Sequence, residues 1–164
     1  MNQSQHRSTA ETPIARWTAS AILLALFGVT LMGIGVYFVA LRPALLPEDL
    51  RYMGASMAQV EAAVPGLLIW LKRVFSVMGG YIFASGALML FVAATSFRGH
   101  QRSAAVVVLV AGLASIAWMS AVNFIIHSDF KWVLLGLALL WVSALALFWI
   151  EASRQGMGPN SLQR

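Results

Sequence analysis

Four apolar runs, each long enough to cross a lipid bilayer, leave this chain almost no other way to fold. A spanning helix needs about 20 consecutive, mostly apolar residues. The runs cover 17–41, 74–97, 104–126 and 132–150. Only 98–103 separates the second from the third, and only 127–131 the third from the fourth, so consecutive runs must be antiparallel neighbours. Inside hydrocarbon a backbone has to satisfy its own hydrogen bonds, which makes the runs helices and confines irregular chain to the two faces. The expected fold class is therefore all-α, a four-transmembrane-helix antiparallel bundle over 17–151, with an outer loop at 42–73 between helices 1 and 2.

Composition agrees with this pattern and excludes several functions. With 60% hydrophobic and 10% charged residues, the chain lacks the polar cover of a soluble domain. The absence of cysteine rules out disulfides, thiol redox chemistry and thiolate metal sites. The net charge of +5 comes from basic residues placed singly or in pairs at the ends of apolar runs, where they meet lipid headgroups, so no nucleic-acid partner is expected. An ionisable group at mid-membrane would mark an ion or proton path. The spans offer instead the hydroxyls of Thr30, Tyr37, Ser76, Tyr81, Ser85, Ser115, Ser120 and Ser143 and the amide of Asn123, which argues against a proton-coupled pump. There is no Gly-x-Ser-x-Gly motif and no phosphate loop, so neither an enzyme nor a cofactor is expected. A metal is not expected either, because isolated histidines and scattered carboxylates do not make a zinc ligand set.

The first run exceeds the ~7 to 15 apolar residues of a secretory signal and has no small-x-small site before Arg42, so it should remain as a helix. With the amino terminus inside, the cytoplasmic side holds Arg7, Arg16, Arg98, Arg102, Arg154 and Arg164, against Arg42, Arg51, Lys72, Arg73 and Lys131 outside. This six-to-five excess, with Glu48, Asp49, Glu61 and Asp129 all outside, sets both termini in the cytoplasm. Trp17 and Trp149 then fall at the inner interface and Trp70 and Trp132 at the outer one, while Trp118 and Trp141 read as deeper packing residues. The flanks 1–16 and 152–164 read as disordered cytoplasmic tails.

The outer loop is long enough to hold structure of its own. Pro43 and Pro47 stop the first helix, Glu48 and Asp49 form the acidic first turn of a short helix, and Gly54 ends it. Ser56 and Gln59 have capping-box spacing, which predicts a second short helix with Met57, Val60 and Val64 on one face. Pro65 opens a segment that runs into the second span, with Lys72 and Arg73 at the headgroups. The two short helices should cap the outer end of the bundle. Small-residue pairs such as Gly80 with Ala84, Ala111 with Ser115 and Ala117 with Ala121 should bring helices close, leaving a homo-oligomer open, and the methionines should fill gaps.

Candidate binding residues gather at that outer end. Ser120, Asn123 and His127 share one helical face, and Asp129 follows in the short loop. Glu48, Asp49 and Arg51 come from the long loop. The competing reading makes Asn123 an interhelical hydrogen bond of about 0.6 to 2 kcal/mol and the charges simple interface anchors. The stretches Leu46-Pro-Glu-Asp-Leu-Arg-Tyr-Met-Gly54 and Asn123-Phe-Ile-Ile-His-Ser-Asp-Phe-Lys131 resemble a pattern in small bacterial four-helix membrane proteins of uncharacterised function. The resemblance implies a bacterial inner-membrane location and no mechanism. Two functions are expected to compete: a non-enzymatic accessory subunit docking a membrane or periplasmic protein through the outer loop, which is favoured, and a binder or carrier of a lipid or small neutral solute beneath it.

Overall fold

The computed structural model describes residues 17–156, and every regular element among them is a helix. α1 (Ala19–Ala40) is the first span. α2 (Pro47–Met53) and α3 (Met57–Ala63) occupy the long connection. α4 (Leu67–Val92) and a π turn at Ala93–Phe97 form the second span. α5 (Arg102–Gly112), a second π turn at Leu113–Ala117 and α6 (Trp118–Ile125) form the third, and α7 (Lys131–Gly156) is the fourth. All four are long and apolar enough to cross a membrane. The chain is a four-helix membrane bundle.

The segment opened by Pro65 runs into the second span as expected: one helix starts at Leu67, so the helix extends ahead of the apolar run at 74–97. The end of the fourth helix differs from the sequence reading. The last helix carries Glu151, Ala152, Ser153 and Arg154 beyond the apolar run and ends at Gly156, because these residues favour helix once its core-facing half is packed. The tail assigned to 1–16, and the part of the other tail after Gly156, lie outside the described residues.

The spans pack in a ring in which α4 lies on α1, α1 on α7, and α7 on α5 and α6. Their buried apolar residues collect toward the end that carries the termini, where Leu24, Phe27, Ala93, Phe97, Val108, Ala144 and Phe148 are sealed from solvent. Phe97 and Phe148 meet with ring centroids 4.5 Å apart. A polar knot closes the same end. The Glu151 carboxylate accepts from the backbone N–H and hydroxyl of Ser20 and lies 3.3 Å from His100 Nε2, joining α1, the α4–α5 connection and α7.

Glycines form the tightest seam. A Cβ on Gly28 would lie 2.8 Å from the Gly86 carbonyl oxygen, and one on Gly35 would lie 2.7 Å from that of Gly79. Gly79 and Gly86 face their partners equally closely, so α1 and α4 touch backbone to backbone at two levels one heptad apart. Without a hydrophobic force between helices in lipid, this contact is a main source of adhesion. Gly80, expected to serve this way, has open space at its Cβ position, and both it and Ala84 are exposed. The close approach falls one residue earlier on α4.

Gly112 makes room for the Trp141 indole, which sits where a Cβ would be. Trp141 is 4% exposed and donates Nε1–H to the Val108 carbonyl at 3.0 Å. Trp141→Phe should therefore cost about 1 to 3 kcal/mol, read as a lower midpoint when the purified bundle is unfolded with SDS; an unchanged midpoint would show the hydrogen bond to be idle. Trp118, expected to pack inside, is 67% exposed instead, on the lipid-facing side.

The two short connections share one device. At each, a histidine takes the left-handed conformation just past a helix end, His100 with φ 53° and His127 with φ 52°. His100 N–H donates to Phe97 O and Gln101 N–H to Ser96 O; His127 N–H donates to Phe124 O and Ser128 N–H to Asn123 O. These are Schellman closures, with histidine where glycine is usual. The wider turns upstream withdraw amides from the preceding carbonyls, and Thr95 and Ser115 donate their hydroxyls to Phe91 O and Ala111 O.

Candidate functional site

Two ion pairs and one hydrogen bond hold α2 across the loop end of the bundle. Asp49 stands at the third position of α2 and turns its carboxylate back to accept the Leu46 N–H at 2.8 Å, which fixes the start of the helix. The same oxygen lies 3.5 Å from Nη2 of Arg42, the residue that follows the first span. On the far side Ser128 donates its hydroxyl to Glu48 Oε1 at 3.3 Å, and Arg51 pairs with Asp129 at 2.9 Å. Ser128 also accepts the Phe130 N–H at 3.1 Å, so the short connection before α7 is shaped around the residue that holds Glu48. α2 is thereby tied to the first span at one end and to the third and fourth at the other.

Arg42 is the centre of this roof. Its side chain is 9% exposed, its guanidinium carbon lies 3.5 Å from the centroid of the Phe75 ring and 5.2 Å from that of Phe38, and Nη1 donates to Pro43 O at 3.1 Å. Stacking of this kind suits the flat, weakly hydrated guanidinium. Burial pulls its pKa below the ordinary arginine value, with the Asp49 carboxylate opposing the shift. Arginine starts so high that it stays protonated throughout the working range.

Beneath α2 lies a cavity of about 500 Å³, within the usual range for small-molecule sites. Its roof is polar: Arg42, Glu48, Asp49 and Ser128, with Tyr37 and Asn123 below. Its walls are apolar, from Gly33, Ile34 and Phe38 of α1, Phe75 and Met78 of α4, Met119 and Val122 of α6, and Val133 and Leu134 of α7. Three sides of the ring are closed by packed helix pairs. α4 and α6 make no comparable contact and contribute facing walls, so the fourth side opens toward the bilayer in this half.

The six residues singled out in the sequence divide here. Glu48, Asp49 and Asn123 line the cavity. Arg51 and Asp129 are joined to each other outside it, in an exposed pair that contributes little, on the order of 0 to 1 kcal/mol. His127 is exposed, is not among the residues that line the cavity, and serves as the helix stop described above. The Asn123 amide bonds within its own helix, Nδ2–H to Met119 O at 2.9 Å, rather than across helices. α3 buries none of its residues, touches α4 and contributes nothing to the cavity lining, so α2, not α3, contributes to the roof of the cavity. Sequence reasoning missed Arg42 and Ser128. An arginine directly after a span reads as a headgroup anchor, and its aromatic partner Phe75 lies too far along the chain to be paired with it by spacing. Comparison with known families, curated proteins and solved structures finds no match to this chain.

Proposed function

We propose that this protein binds a membrane amphiphile, a lipid or a small solute with a lipid-like division of polarity, in the cavity beneath α2. The single observation that carries this reading is the cavity's polarity: a charged roof at the bundle end, apolar walls below, and an open side between α4 and α6. Such a space matches a molecule with its head at the membrane surface and its tail in hydrocarbon. No chemical step is part of the proposal. The residues are suited to holding and presenting a molecule, as a carrier or accessory protein does.

We place the termini in the cytoplasm and α2 on the opposite face of a bacterial inner membrane. The basic excess on the terminal side and the acids of the loop support this orientation. A second reading, docking of another membrane or periplasmic protein, draws on the exposed Tyr52, Met53, Met57 and Val64 of the α2–α3 segment. Glu48 is buried against Ser128 and offers no surface to such a partner.

Native mass spectrometry of the protein gently extracted from its own membrane tests the cavity reading. A bound species of lipid or small-molecule mass is expected. Asn123→Ala, which removes a cavity-lining amide and no interhelical bond, should lower its retention about fivefold, equivalent to about 1 kcal/mol. An empty wild-type bundle would overturn the proposal, and a second polypeptide in its place would favour docking.

A further inference from the structure

We propose that the head of the bound amphiphile carries an ammonium group and that Glu48 receives it. This rests on the cavity reading above and names the ligand class. Glu48 is 3% exposed, yet none of the ion pairs among the described residues includes it. Its one hydrogen bond comes from the neutral Ser128 hydroxyl and reaches only Oε1. Oε2 receives no donor from the protein, although no buried side-chain oxygen or nitrogen is left sealed without a partner. Oε2 is therefore not fully sealed, and Glu48 lines the cavity.

The other charges of the roof are already matched. Arg42 and Asp49 form a pair, and Arg51 and Asp129 form another outside. Glu48 lies in the field of Arg42 as well, without a direct ion pair to it, so two carboxylates face one guanidinium and the buried roof holds one negative charge in excess, which a cation would balance. A purely anionic head would add like charge beside it. An ammonium supplies both the charge and the donors, since it has hydrogen-bonding protons and no acceptor. Arg42 has N–H donors left beyond those given to Pro43 O and Asp49, and these suit the phosphate ester oxygens of an aminophospholipid. The apolar walls and the gap between α4 and α6 take its chains.

The test reconstitutes the purified full chain in nanodiscs of equal parts phosphatidylethanolamine and phosphatidylglycerol and reads the lipids kept after release into the mass spectrometer. Wild type should keep phosphatidylethanolamine over phosphatidylglycerol by about tenfold, the ratio expected for one charge-assisted hydrogen bond. Glu48→Gln preserves shape and an acceptor for Ser128 but not the charge, and it should bring the ratio to about one. A preference unchanged in Glu48→Gln, or a wild-type ratio equal to that of the disc, overturns the assignment of Glu48 while the lipid-binding reading stands. Failure to keep any lipid overturns both. Free ethanolamine, added in excess, separates the sources of the ammonium: if it displaces the lipid fully, a free amine is the ligand and the chains contribute nothing, which overturns the amphiphile.

Discussion

Gly35→Leu is expected to leave little or no folded bundle. A Cβ at this position would lie 2.6 Å from the Phe83 nitrogen and 2.7 Å from the Gly79 carbonyl oxygen, both main-chain atoms that cannot swing aside. The first two spans would have to separate along a seam that continues to Gly28 and Gly86, forfeiting contact at both levels. Overpacking alone costs about 1 to 3 kcal/mol in a well-packed core, and loss of the neighbouring contacts adds to it. Unfolding with SDS, with monodispersity in detergent as a second readout, should show a large drop. Gly80→Leu on the same helix is the control: its Cβ direction is open, and it should behave as wild type. Equal stability of Gly35→Leu and wild type would mean that the spans are not in backbone contact.

Gly33→Leu, two residues away on α1, should do the opposite. No atom outside its own helix lies within 4 Å of a Cβ there, and the residue lines the cavity. Leucine also favours helix over glycine by roughly 0.8 kcal/mol in water. The bundle should stay at least as stable while the new side chain takes up space that the ligand needs, so retained ligand should fall at least tenfold in the mass spectra described above. Wild-type retention in Gly33→Leu would place the ligand somewhere other than this cavity.

The two glycines show what could be read in the chain and what could not. Hydropathy reports which residues meet lipid, and it located four helices because that property is one-dimensional. Which side of α1 meets α4 depends on rotation about the helix axis, and a span that is apolar all round has almost no hydrophobic asymmetry to reveal it. Gly80 and Gly79 look alike in such a run, yet one faces lipid and the other the seam. The candidate residues divided in a similar way. Glu48 and Asp49 were legible as the start of a short helix after Pro47, and Asn123 as the lone amide in a span. Their meeting with Arg42 depends on how α2 crosses the bundle, which loop composition does not specify. His127 draws attention because histidine is scarce here, and the structure shows it in the left-handed backbone angle that ends a helix.

The unclosed side of the ring also bears on how the proposed ligand would enter. α6 is an eight-residue helix that follows a π turn, packs on α7 and makes no comparable contact with α4. On the proposed reading, entry between α4 and α6 would draw on contacts other than the aromatic core of Phe97 and Phe148 or the Gly28–Gly86 contact, so admission of a ligand and unfolding of the bundle would carry separate costs.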